Sequence, residues 1–164
     1  MLFRSSLPQN RFPQFAVPSA TCIWPELIYR GAKKIGFESP GDAVKMKFFG
    51  KFLSHQIESL KPNYFIGWSS FALETLKRQM AGIHILMRDS AHIKFQYDLL
   101  EEEYKKFGHQ FSGRQFCLER ELEEYSLADR IWVLSDFAKK TFIEQGISES
   151  KVDVLPLGVD LTRF

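Results

Sequence analysis

The stretch RDSAHI (88–93) places Arg88, Asp89, Ser90 and His92 within five residues, the densest group of chemically useful side chains in the chain. A neutral imidazole at His92 could shuttle a proton or hydrogen-bond a sugar hydroxyl. The guanidinium of Arg88 could meet an acidic or phosphorylated ligand, or form a structural ion pair. A second group is Trp68-Ser69-Ser70. It follows a short apolar run and precedes a helical pattern. Backbone N–H groups there could receive a phosphate or hydroxyl, with the indole stacking on a sugar ring; capping of the helix by a serine is the plainer alternative. Ser135-Asp136 has the same two readings, cap or ligand contact.

Other chemistries leave no trace. There is no GxxxxGK[ST] phosphate loop, no GxGxxG dinucleotide fingerprint and no GxSxG nucleophile elbow. His55, His84, His92, His109, Cys22 and Cys117 do not fall at metal-ligand spacing, so neither a metal nor another bound cofactor is expected. The run Glu101-Glu102-Glu103 pairs at i,i+4 with Lys105 and Lys106 and reads as a helix surface.

The elements that must hold these groups follow from periodicity. Residues 1–40 are irregular, with prolines at 8, 13, 18, 25 and 40 and only PELIYRGAKKIG (25–36) helical in pattern. Asp42 is placed to cap a helix reaching about Leu60, with Phe49, Leu53, Ile57 and Leu60 on one stripe. NYFIGW (63–68) is then a strand, SSFALETLKRQM (69–80) a helix opened by Ser69 or Ser70, and IHILM (83–87) a strand. Ile93, Tyr97, Leu100, Tyr104 and Phe107 form one stripe of a long helix. A helix over about 116–128, a strand at 130–135, a helix capped by Ser135 and closed by Gly146, and a strand at VDVLP (152–156) complete the pattern. Alternating strands and helices predict an α/β domain over residues 41–164, a Rossmann-like parallel sheet with helices on both faces. Ligands then belong at the carboxyl ends of the strands, after Trp68, Met87, Leu134 and Leu155.

A net charge of +2 without a basic stripe points away from nucleic acid. No apolar run is long enough to span a bilayer. Two distant cysteines without a leader read as reduced thiols, so a cytoplasmic site is expected. Lys45, Lys47 and Lys51 beside Phe48 and Phe49 leave two readings of residues 44–53: a solvated basic face, or peripheral membrane contact.

The closing stretch ADRIWVLSDFAKKTFIEQGISESKVDVLPLGVDLTRF resembles a segment of the GT-B glycosyltransferases of glycosyltransferase family 4. The match is carried by Ala128, Asp129, Ser135, Phe137, Gly146, Ile147, Lys151, Pro156, Gly158, Val159, Asp160 and Phe164. PNYFIGWSSFALETLKRQ, RDSAHIKFQ and LLEEEYKKFG look like a subgroup of the same family. The resemblance implies the N-terminal, acceptor-side half of a GT-B fold. It implies a retaining transfer from a nucleotide-sugar donor to a glycan or lipid-linked acceptor. His92 would lie near the transferred sugar, Trp68, Ser69, Ser70 and Arg88 on the acceptor side, and Ser135 and Gly158 at the cleft and linker. The family's first strand with its Gly-rich loop, and its C-terminal donor domain, are expected to lie outside this sequence. The chain alone is then expected to be inactive, and a non-catalytic module with weak glycan or partner binding is the alternative.

Overall fold

The computed structural model describes residues 38–158, together with Leu27, Arg30, Gly31 and Lys34. The expected helix at 25–36 falls mostly outside the described residues; the four that are described are helical. The motif residues Val159, Asp160 and Phe164 also lie outside them.

Four strands form one all-parallel sheet in the order β1 (Tyr64–Trp68), β2 (Ile83–Arg88), β3 (Arg130–Val133) and β4 (Val152–Val154). Helix α1 (Glu38–Leu60) enters β1. Helix α2 (Leu73–Leu76) links β1 to β2, α3 (Ile93–Lys106) and α4 (Gln115–Leu127) link β2 to β3, and α5 (Asp136–Glu144) links β3 to β4. This is an α/β fold of Rossmann-like type, as the alternation of elements predicts.

The strand order has a consequence for layering. Right-handed crossovers that always step the same way along a parallel sheet put their helices on the same side. The core agrees. Phe65, Leu86, Ile131, Val133 and Val152 pack with Ile57 of α1, Leu76 of α2, Ile93 of α3, Cys117 and Tyr125 of α4, and Ala138 and Phe142 of α5. Those strand residues share one face by register. Among the described residues, the helical layer lies on that face. The opposite face carries Tyr64, Ile66 and Trp68, and β1 accordingly alternates exposed and buried.

Several local expectations need correction. Helix α1 begins at Glu38, so Asp42 lies inside its first turns, where it pairs with Arg114 at the start of α4 rather than capping. The helix expected over 69–80 shrinks to four residues, with Ala72 at its N-cap, so neither Ser69 nor Ser70 caps it. The stripe on α3 is not core: Ile93 is buried, but Leu100, Tyr104 and Phe107 are exposed. Leu60, expected on the buried stripe of α1, is exposed as well. Ser135 does cap α5, its Oγ accepting from the Ala138 N–H at 3.2 Å, and Gly146 follows that helix at φ +86°.

The entry to β2 depends on Gly82, which adopts φ +114°. A Cβ there would lie 2.6 Å from the Asn63 carbonyl oxygen and 2.9 Å from that of Pro62. Backbone conformation and backbone clash therefore act together. Gly146 has the positive φ without a clash. In urea unfolding, Gly82→Ala is expected to cost about 3 kcal/mol and Gly146→Ala about 1 kcal/mol. Equal costs would show that the turn before β2 has room to relax.

Candidate functional site at the carboxyl ends of the strands

All four strands end on the same side of the molecule, so the segments after them converge. Trp68 closes β1, half exposed, with its indole on the sheet face opposite the helices. Ser69 and Ser70 turn the chain, Ser70 at φ 73°, a left-handed conformation that non-glycine residues seldom take. The Ser69 N–H donates to the Met87 carbonyl at 3.0 Å, which ties this turn to the end of β2.

The turn is held from beneath by one face of α4. Glu124 is fully buried. Its Oε1 accepts from the N–H groups of Ala72 (3.0 Å) and Leu73 (2.9 Å). Its Oε2 accepts from the Ser70 N–H (2.6 Å) and from the Ser69 hydroxyl (3.5 Å). The N–H groups that were candidates for an external phosphate or hydroxyl are thus occupied by the protein's own carboxylate. Arg120, also buried, donates to the Ser70 carbonyl at 2.6 Å and pairs in bidentate fashion with Glu74. One turn along, Glu121 accepts from the Ser70 hydroxyl (2.6 Å), the Tyr125 hydroxyl (2.7 Å) and Arg88 (3.1 Å). Arg88 also donates to Gln96 at 2.7 Å. It therefore has the ion-pair role that was the alternative to ligand binding.

The titration of Glu124 reflects opposed forces. Burial pushes its carboxyl up to about 7, against the pull of the Ser70 N–H, the Arg120 guanidinium and the Leu73 N–H. Burial likewise raises the Tyr125 phenol.

His92 is enclosed. It is 2% exposed, its ring lies 4.9 Å from those of Tyr125 and Phe142, and its Nδ1 accepts from the Lys94 N–H at the start of α3. The His92 backbone N–H donates to the Thr141 hydroxyl at 3.0 Å. Burial, and then the nearby charges of Arg88 and Lys94, push the imidazole down to about 4. In this setting His92 packs and caps; it does not present a nitrogen to the strand-end surface. Asp89 is exposed and Ser90 partly so beside it. Ser135 is exposed but committed to its cap, and Leu155, Pro156, Leu157 and Gly158 leave β4 exposed.

Glu121 and Glu124, with Arg120, were not singled out as site residues in the sequence. Their signal was present: a polar i,i+1,i+4 set in LERELEEY, facing the same way as Cys117 and Tyr125. Among the described residues no three His, Cys, Asp or Glu side chains group to hold a metal, and no helix is long and apolar enough to cross a membrane. The fold and strand-end surface define the class as a Rossmann-like α/β domain. No protein-family model, curated protein or solved structure matches the chain.

Two predictions follow from this geometry. In Glu124→Gln, one of the two oxygens becomes an NH2 facing N–H or O–H donors. A loss of about 3 kcal/mol in denaturant stability is expected, and a loss under about 1 kcal/mol would mean the turn rearranges freely. For His92, the folded pKa lies below the unfolded value of 6.5, so between pH 6.5 and 4 the unfolded chain binds more protons. Stability from this group is complete above pH 6.5 and is lost as pH falls toward 4. Its imidazole carbon resonances should titrate with a midpoint near 4; a midpoint at 6 or above would contradict an enclosed neutral ring.

Proposed function

We propose that this chain is the acceptor-side lobe of a retaining glycosyltransferase resembling glycosyltransferase family 4. Its role is to bind a glycan or lipid-linked acceptor, while a nucleotide-sugar donor and the electrostatic stabilisation of its leaving diphosphate are supplied by a donor domain. The observation that carries the reading is the spaced motif from Ala128 to Phe164.

The structure adds a context compatible with it. Much of that motif serves the fold. Ala128 is buried, the Asp129 carboxylate accepts from the His84 N–H at 2.7 Å, Ser135 caps α5, and Lys151 donates to the Ser126 carbonyl at 3.0 Å. Pro156 and Gly158 are exposed where β4 ends, in the place where a linker toward a second lobe would start. The charged groups beneath the strand ends are paired with one another, so the surface above offers the Trp68 indole, the Ser90 hydroxyl and the exposed Asp89 side chain. Such a surface suits a neutral sugar ring more than a phosphate. Trp68 is the stacking platform in this reading, with Ser90 and Asp89 as hydroxyl partners. The lobe binds, and chemistry falls to groups it does not itself expose. A cytoplasmic setting belongs to the same proposal and agrees with the free thiol of buried Cys117.

The test is a titration of the labelled chain with short oligosaccharides and with a sugar-phosphate lipid analogue. Shifts are expected at the Trp68 indole and at Asp89 and Ser90, with affinity falling at least tenfold in Trp68→Ala. Sugar transfer should be detectable only when a donor domain is added. Shifts confined to other surfaces, or binding indifferent to Trp68→Ala, would remove the reading.

A further inference from the structure

Beyond the strand-end loop, the first turns of α3 and the segment 111–115 that opens α4 enclose a groove of about 250 Å³. Its floor is apolar, with Tyr97, Phe111 and Leu118 each partly buried. The Tyr97 and Phe111 rings meet edge to face at 5.3 Å. The wall opposite α3 is tied to this floor. The Arg114 backbone N–H donates to the Tyr97 hydroxyl, and that hydroxyl donates to the Arg114 carbonyl, both at 3.1 Å. Gly113 lies against the same ring, where a Cβ would come within 2.6 Å of it. The groove is therefore shaped before any ligand arrives.

The rim decides what could enter. Lys94 donates to both Asp98 oxygens, at 3.0 and 2.8 Å, so these two charges satisfy each other. Gln115 gives its amide N–H to Glu119 at 2.9 Å, which leaves its Oε1 as an acceptor. Glu101 is exposed, and among the described residues no cation or donor reaches its carboxylate. What remains is a pair of acceptors above an aromatic floor. That combination calls for a ligand with one apolar face and donors around its edge. A pyranose ring has both, presenting C–H groups to the rings and hydroxyls to the rim. An ammonium would be a stronger partner for Glu101 than a hydroxyl, and a phosphate would meet a carboxylate. The volume falls below the roughly 300 Å³ at which drug-sized pockets begin, so it suits one ring rather than a chain. We propose that this groove binds a single pyranose unit, an amino sugar in preference to a neutral one. Trp68, Asp89 and Ser90 do not line it, and the inference does not rest on the transferase reading.

The test is an NMR titration of the whole labelled chain with glucosamine, glucose, glucose 6-phosphate and cyclohexylamine, following Tyr97, Phe111 and Leu118. Glucosamine is expected to bind about fivefold more tightly than glucose, and glucose 6-phosphate more weakly than either. Glu101→Gln should bring glucosamine and glucose within about twofold of each other. Glu144→Gln, which removes an exposed carboxylate of α5, should leave the gap as it is. Phe111→Ala should weaken both sugars about tenfold. Glu101 is exposed on α3, so its variant reports even where Phe111→Ala loosens the segment. Equal affinity for glucosamine and glucose in the native chain, or a gap that survives Glu101→Gln, would overturn the proposal. Cyclohexylamine binding as tightly as glucosamine would overturn it too, since the ligand would then be an amine and not a sugar. Shifts at Trp68 with none at Tyr97, Phe111 and Leu118 would overturn it while leaving the transferase reading in place.

Discussion

The carboxylate of Glu124 is the point on which the upper part of this domain hangs. An ionised carboxyl in a protein interior loses several kcal/mol of hydration. The only compensation is a full set of donors, and the turn after β1 provides it with backbone N–H groups from Ser70, Ala72 and Leu73. The dependence is mutual. A turn containing a left-handed serine and a four-residue helix has too few internal hydrogen bonds to define itself. The carboxylate supplies acceptors from a helix fifty residues further on. Arg120 then closes the loop of interactions by binding the Ser70 carbonyl and Glu74 together.

This arrangement changes the chemical character of the strand ends. In many α/β folds the first turn after a strand leaves N–H groups pointing outward for an anion. Here they point inward to an anion the protein already owns. Arg88 is directed to Glu121 and Gln96 in the same manner. These charges become structural, and the outward surface is left with an aromatic ring, the Ser90 hydroxyl, the exposed Asp89 and short exposed loops. His92 belongs to the same economy of enclosed groups. Locked between Tyr125 and Phe142, it knits α3, α4 and α5 at one point of the core. Its neutral state is what allows it to be there.

The layered architecture follows a different constraint. Strand order alone sends each right-handed crossover to the same side, so the helices that build the core against Leu86, Ile131 and Val133 cannot also cover Tyr64, Ile66 and Trp68. The apolar character of that second face is visible in the sequence as YFIGW and IHILM, runs without polar alternation. Such runs are expected of strands covered twice.

What the sequence determined by itself was the local material. Apolar runs of five or six residues separated by helical stripes specified four parallel strands and the helices between them, because periods of 2 and 3.6 are properties of the backbone. Ser135 as a cap and Gly146 as a stop were legible for the same reason: each acts on hydrogen bonds within its own turn. The failures were all of long range. Ser69 and Ser70 carry every local mark of a helix cap, yet the cap comes from Glu124. Asp42 looks like a cap and is an ion-pair partner of Arg114. The α3 stripe has the spacing of a buried face and is largely exposed. His92 sits among polar neighbours in sequence and among aromatic ones in space. Which side chain faces which, and whether a charge is spent inside the protein or offered to a ligand, was decided only when α4 was laid across the ends of β1 and β2. Pairings between residues about fifty positions apart in the chain leave no period to read.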